Sequence, residues 1–334
     1  AGARGRPRAK ILASRGAEVV ITSRSRSGSD KKGMEYRQGD AHDIGFLKRL
    51  LKDFYDVIID FMVYGEEEFS QRLEFLLTSC SQYVFLSSGR VYAGSESRLT
   101  ENSPRLLESC GDTEYLKTDE YALSKARQED RLRSSGYANW TIIRPYITYS
   151  EQRLQLGVFE KEQWLYRALK GRTVVFAKDI AEKQTTLTCG MDVAGALAKI
   201  AGNRKALGEV IQLAAPCGIS WKEALDIYVE ILEEKTRRRP NVHWIDESAR
   251  MAGDLGNIYQ LKYDRLFHRS FDSAKADQIC GEAIAYRDAG SGLRACLEAF
   301  LDGDRRFRDI SWKTEAYMDR LTGERTPFKE IPSF

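Results

Sequence analysis

The sequence predicts an α/β protein, a Rossmann-like doubly wound parallel sheet with a smaller α+β C-terminal region for substrate. Three observations carry this expectation. Short apolar or β-branched runs alternate with helical stretches through residues 1–149, as in a parallel sheet covered on both faces. A glycine-bearing loop at the start runs straight into a helix, the arrangement that cradles a pyrophosphate. Beyond Pro145 the alternation gives way to charged, helix-rich sequence. The expected organisation is a dinucleotide-binding domain over 1–149, to which 190–214 returns, and a substrate-binding region over 150–189 and 215–334.

The elements follow in order. Gly2-Ala-Arg-Gly5 reads as a loop, and the helix after it stops at Gly16. Ala17 to Thr22 is a β-branched strand. A polar helix spans about Phe46 to Asp53, followed by strands at Val57–Val63, Tyr83–Leu86 and Thr141–Arg144. The segment from Ser150 to Thr188 holds a helical stretch at Lys161–Leu169. Asp192–Ala201 is a helix and Val210–Leu213 a strand. Trp221–Glu234 is an amphipathic helix ended by Arg237-Arg-Arg-Pro240. Val242–Ile245 is a strand candidate, Ala295–Leu301 a helix, and an extended tail is expected after Asp304. A Rossmann sheet would begin with a strand ending in glycine, so a short apolar strand is expected upstream of Ala1.

Bulk composition narrows the function. The chain has 334 residues, 42% hydrophobic and 30% charged, with a net charge of +3. That charge gives no reason to expect nucleic acid or an acidic membrane surface. No apolar run reaches the length of a membrane span. No secretory leader is visible, and a cytoplasmic location is expected. The 6 cysteines form no Cys-x-x-Cys pair and read as buried reduced thiols. The 3 histidines show no metal-ligand spacing, so no metal site is expected.

The chemistry resides in Tyr121-Ala-Leu-Ser-Lys125, downstream of Ser87-Ser88-Gly-Arg-Val-Tyr92. Positions i and i+4 of a helix share a face, so Tyr121 and Lys125 project together. An ammonium beside a phenol favours the phenolate, which makes tyrosine usable as a proton donor and acceptor near neutral pH. A serine hydroxyl against the same substrate oxygen completes a trio suited to interconverting alcohol and ketone, the hydride passing to or from a nicotinamide. The end of the second strand bears on which nicotinamide. An acidic residue there binds a ribose diol, and arginine suits a 2′-phosphate. Thr22-Ser23-Arg24-Ser25-Arg26 has no carboxylate, so NADP is expected rather than NAD, with Ser23 and Arg24 or Arg26 on the phosphate. Asp40, after Gly39, would approach the adenine amine.

Together these segments resemble the extended short-chain dehydrogenase/reductase family, in its NAD(P)-dependent nucleotide-sugar epimerase/dehydratase branch. The motifs are Gly2-x-x-Gly5, Gly39-Asp40, Val84-Phe-Leu-Ser-Ser-Gly-Arg-Val-Tyr92, Tyr121-x-x-x-Lys125, Arg144-Pro145, Met191-Asp192-Val193 and Phe271-Asp-Ser-Ala-Lys275. The resemblance implies Ser88, Tyr121 and Lys125 as catalytic residues, Lys125 also holding the nicotinamide ribose. It implies Gly2, Arg4, Gly5 and Pro145 beside the cofactor, and Ser88, Gly89, Arg90, Tyr146 and Ile147 beside a sugar-nucleotide substrate. It further implies a homodimer through the helix bearing Tyr121.

Three departures qualify what the resemblance implies. The 4,6-dehydratases of this branch carry Asp-Glu after the catalytic Ser/Thr, whereas this chain has Gly89-Arg90, which cannot perform that elimination. Ile147 stands where the branch often places a phosphate-binding Asn. Met62-Val63 replaces the small alanines that usually line the nicotinamide pocket. The expected function is therefore an epimerase or ketoreductase. The alternative is a non-catalytic NAD(P)- or RNA-binding member of the same fold, since the branch also resembles organellar RNA-associated proteins. The basic runs Arg4–Arg8 and Arg237–Arg239 are its support.

Overall fold

A computed structural model describes residues 6–24, 32–305 and 307–327. Gly2, Arg4, Gly5 and Arg26 of the expected cofactor site lie outside them. Helix α1 (Arg6–Ser14) turns through Gly16, at φ 88°, into β1 (Val19–Ser23), beside which β2 (Met34–Gln38) lies parallel. Then come α2 (Ile44–Leu50), β3 (Tyr55–Asp60), α3 (Glu66–Thr78), β4 (Cys80–Leu86), α4 (Tyr121–Arg133) and β5 (Trp140–Pro145). The second half adds β6 (Thr148–Tyr149), α5 (Lys161–Leu169), β7 (Val174–Ala177), β8 (Gln184–Thr185) and β9 (Thr188–Cys189). After these follow α6 (Gly190–Ile200), β10 (Glu209–Leu213), β11 (Ile219–Ser220), α7 (Trp221–Thr236) and β12 (Val242–Ile245). Helices α8 (Ala274–Cys280), α9 (Ala289–Asp302) and α10 (Trp312–Thr322) complete the labelled elements.

A four-stranded parallel sheet, in the order β10-β5-β4-β3, is the centre of the fold. Strand alternation explains why both of its faces are apolar. Tyr83, Phe85 and Ile142 point to one side, against Phe69, Leu76 and Leu77 of α3 and Leu132 of α4. Val84, Ile143 and Ile211 point to the other, against Val193, Leu197 and Ile200 of α6 and Ile279 of α8. Burying each such side chain contributes roughly 1.5–3 kcal/mol, so the sheet is held from both faces.

The sheet differs from expectation in one respect. β1 and β2 form a separate parallel pair, and among the described residues no backbone pairing joins β1 to β3. Helices link the two sheets instead: α1 packs on α6, and the Arg15 guanidinium donates to the Ala198 carbonyl at 3.0 Å. The third strand also stops earlier than read, at Asp60, because its carboxylate accepts from the Met62 N–H at 2.9 Å and turns the chain.

The C-terminal part has its own core, in which Trp164 of α5 stacks on Tyr228 of α7 at 4.6 Å, and β7 pairs in parallel with β12. The expected extended tail is corrected: α10 docks there through fully buried Arg167, whose guanidinium meets Glu315 at 3.2 Å, Asp319 at 2.7 Å and Glu324 at 2.8 Å. Among the described residues no helix is long and apolar enough to cross a membrane.

Candidate active site

The carboxyl ends of β3, β4 and β5 and the first turn of α4 meet at one edge of the sheet. In open α/β sheets this is the edge where ligands bind. Tyr121 begins α4, where the Glu120 side chain caps the helix by accepting from the Ala122 N–H at 2.8 Å. Lys125 follows one turn later on the same face. Lys125 is 1% exposed, and its ammonium lies 4.5 Å from the centre of the Phe85 ring and donates to the Met62 carbonyl at 3.4 Å. Burial pushes this amine down to about 8, opposed by the charges of Asp60 and Glu129.

The two adjacent serines have different fates. Ser87 donates to the Glu129 carboxylate at 2.5 Å and is locked into the interior. Ser88 caps a single turn, its Oγ accepting from the Arg90 N–H at 3.1 Å, which leaves its O–H free to donate. Arg90 fastens this loop to α4: its guanidinium pairs with Glu120 at 2.5 Å and lies 5.5 Å from the Tyr121 ring centre. Ser88 and Tyr121 are thus on elements joined by Arg90, and Lys125 is tied to the end of β3. The Tyr121 side chain is half-buried.

The other expected site residues separate into two groups. Ser23, Arg24, Asp40 and Pro145 stand at or just beyond the carboxyl ends of strands. The Ser23 carbonyl accepts from Gly39 at 2.9 Å, the Arg24 carbonyl accepts from Gln38 at 3.1 Å, and the Asp40 carboxylate accepts from the His42 N–H at 3.0 Å. Arg24 is exposed. By contrast, Gly89, Tyr146 and Ile147 are packed into the protein. A Cβ on Gly89 would lie 3.2 Å from Phe271 and from Tyr146. Tyr146 packs against Phe271 with ring centres 4.8 Å apart and the rings tilted by 40°, and donates to Asp264 at 3.0 Å, and burial raises its phenol. Arg265 and Arg269, both buried, pair with the same Asp264.

Residue-by-residue reading missed Glu129, Glu120 and Asp60. Glu129 is fully buried and accepts from Arg144 at 2.9 and 2.5 Å and from Arg105 at 3.1 Å. Burial alone would raise its carboxyl, yet Arg144 holds it below the usual range. Arg144 of the Arg-Pro motif is therefore spoken for. The available signals were spacing and context: Glu129 follows Lys125 by one helical turn, and Asp60 is a lone carboxylate in an apolar run. Among the described residues no cluster of three or more His, Cys, Asp or Glu could hold a metal ion.

Comparison with known proteins agrees with the fold. No family model matches the chain. Among solved structures, epimerase Mth375 from Methanothermobacter thermautotrophicus is 18% identical, with 90% of each chain covered and a TM-score of 0.70. The UDP-glucuronic acid 4-epimerase of Bacillus cereus, in complex with NAD, is 15% identical over 90% of this chain and 95% of that one, with a TM-score of 0.65. A curated relative, the chloroplast stem-loop binding protein of 41 kDa b from Arabidopsis thaliana, is 26% identical over 220 residues. That match takes in 61% of this chain and 54% of the relative, so the chain spans about half the length of the curated protein it matches. The Rossmann-like fold expected from the motifs is borne out: the chain shares the fold of these two solved epimerases.

Proposed function

We propose that this protein is an NAD(P)-dependent oxidoreductase or epimerase acting on a hydroxyl or ketone of a sugar nucleotide. One observation carries the reading. At the carboxyl edge of the sheet, a buried ammonium with a single long acceptor, a serine with its O–H free and a half-buried tyrosine are held on elements tied to one another, where a saturated interior would leave no donors over. These groups fit a nicotinamide riboside: Lys125 would hold its ribose hydroxyls, and Pro145 would lie alongside. When bound, the nicotinamide would supply hydride acceptance and return. Tyr121 would take the proton of the reacting hydroxyl and give it back, and Ser88 would donate to the same oxygen. The positive charge of Lys125 would favour the ionised phenol during the transfer. Return of hydride to the opposite face is epimerisation, and net consumption of reduced cofactor is ketoreduction. Gly89-Arg90 supplies no acid/base pair for dehydration.

The solved neighbours crystallised with NAD favour NAD, and the Ser23-Arg24-Ser-Arg26 strand end favours NADP. Titrating both into the protein ranks them. The region after Pro145 would hold the sugar nucleotide, and a homodimer through α4 belongs to the same reading. Tyr121→Phe tests it: turnover of UDP-sugars, followed by absorbance of the reduced cofactor and by product analysis, should fall about 10²–10⁴-fold. A variant that turns over like the parent would remove Tyr121 from the mechanism.

A second reading is favoured by the name of the curated relative, a stem-loop binding protein. The fold would then serve RNA, and binding of a stem-loop would weaken steeply with salt. Salt-sensitive RNA binding in a protein that takes up neither dinucleotide would replace the enzymatic reading.

A further inference from the structure

We propose that Asp60 is a positioning residue for Lys125: by holding the Met62 N–H it anchors the residue whose carbonyl receives the ammonium, and it supplies the buried countercharge that keeps the ammonium there. The proposal deepens the reading above and rests on it for the role of Lys125.

Asp60 ends β3 and is 8% exposed. One carboxylate oxygen accepts from the Met62 N–H at 2.9 Å and the other from the Tyr83 hydroxyl at 2.8 Å. The carbonyl of that same Met62 is the acceptor of Lys125 Nζ at 3.4 Å. A single residue therefore links the two charges. Fixing the Met62 N–H fixes the turn that presents its carbonyl. No direct ion pair forms, since Lys125 and Asp60 stand farther apart than the hydrogen-bonded pairs around them.

The surrounding charges single out Asp60. From its own helix, Lys125 faces Glu129, but that carboxylate already receives Arg144, Arg105 and Ser87. From β4 it faces the Phe85 ring, a weak cation partner. Near Asp60 stand Tyr83, Tyr64 and Arg72, and Arg72 is engaged by Glu68 at 3.0 Å and by the His42 carbonyl at 2.5 Å. Asp60 is thus the carboxylate near Lys125 that no guanidinium claims. Burial pushes the Asp60 carboxyl up, while Met62, Tyr83 and Lys125 pull it back, and Asp60 in turn opposes the loss of the Lys125 proton. A buried cation with little hydrogen bonding needs such a partner to stay charged at neutral pH.

The test uses the full chain with 13Cε-labelled lysine, the Lys125 resonance being assigned by its loss in Lys125→Met. Titration of the parent should give a midpoint near 8. In Asp60→Asn the midpoint should fall by about one unit, leaving roughly tenfold less ammonium above it. An unchanged midpoint overturns the proposal. If Asp60→Asn alone folds poorly, a thermal comparison decides. Asp60→Asn/Lys125→Met should melt above Lys125→Met, because it removes an uncompensated buried carboxylate, whereas additive losses from the two single changes overturn the proposal. NADH and NADPH binding are followed in parallel. Asp60→Asn should bind several-fold more weakly than the parent above pH 7 and recover as pH falls. A parent that binds neither cofactor refutes the enzymatic reading but leaves the lysine titration free to decide about Asp60.

Discussion

Helix α4 carries two buried charges one turn apart, and they live in opposite conditions. Glu129 is saturated: Ser87, Arg144 and Arg105 all donate to it, at 2.5 to 3.1 Å. Lys125 has three protons and, among the described residues, one acceptor, at 3.4 Å. Both are almost fully enclosed. Burial is therefore not what separates a charge the fold has used up from one still open to a ligand. The separation is whether the interior has answered the charge. A saturated carboxylate cannot take on a ligand without breaking what holds it, whereas an ammonium with spare donors can. The same contrast separates Ser87 from Ser88, and the Asp264–Arg265–Arg269 cluster from the Tyr121 face.

The widest break in this comparison should come from Arg144→Met. It strips both Arg144 contacts from Glu129 and leaves the buried carboxylate to Arg105 and Ser87 alone, at a cost of about 3 kcal/mol in unfolding free energy. Tyr121→Phe removes a hydroxyl with no hydrogen bond among the described residues and should stay within about 0.5 kcal/mol of the parent. Urea denaturation of both variants measures this. Similar losses for the two would erase the distinction between saturated and open groups.

That distinction also marks what could be read in the sequence. Ser88, Tyr121 and Lys125 stand out as candidates in the sequence because proton transfer demands particular side chains at particular spacings. Helix α5 and strand β12 were legible to the residue, because local periodicity and β-branching determine them. The partners were not legible. Glu129 meets Arg105 and Arg144 only after β5 is laid beside β4, and Lys125 reaches the Met62 carbonyl, two residues beyond Asp60, only after α4 crosses the end of β3. Helix α10 was hidden by its charged sequence. Its acidic residues look solvated until Arg167, on an element far earlier in the chain, is found buried among them. Tyr146 and Ile147 were placed beside substrate by the motif they follow, but past Pro145 the chain turns both side chains into the core.

Gly89 sharpens the comparison at smaller scale. Glycine directly after Ser88 could serve a substrate, or it could serve packing. An added Cβ would sit 3.2 Å from Phe271 and Tyr146, tighter than ordinary contact; those rings pack against each other, and Tyr146 is fixed by its bond to Asp264. Gly89→Ala should therefore lose about 1–3 kcal/mol of stability through overpacking. A KM rise with no loss of stability would instead put Gly89 on the open side of the divide.

The smallest expected effect tests whether Lys125 is charged against the preference of its surroundings. Its amine falls from 10.5 to about 8 on folding, chiefly through burial. Below pH 8 both folded and unfolded chains hold that proton, and the desolvation cost weighs on the fold in full. Between about 8 and 10.5 the unfolded chain still holds the proton and the folded one has released it. The unfolded state then binds more protons, so stability rises with pH across that window. Other groups work against this gain higher up. The thiols of Cys80 and Cys296 are pushed from 9.0 to about 11 by burial, so their stabilising contribution is present below 9 and lost above it. The useful interval is therefore pH 8 to 9, where Lys125 should add on the order of 1 kcal/mol. Lys125→Met removes this term and keeps the thiols, so the difference between parent and variant isolates it. Parallel stability curves across that interval would mean that Lys125 is as well answered as Glu129, and the contrast between these two neighbours on α4 would vanish.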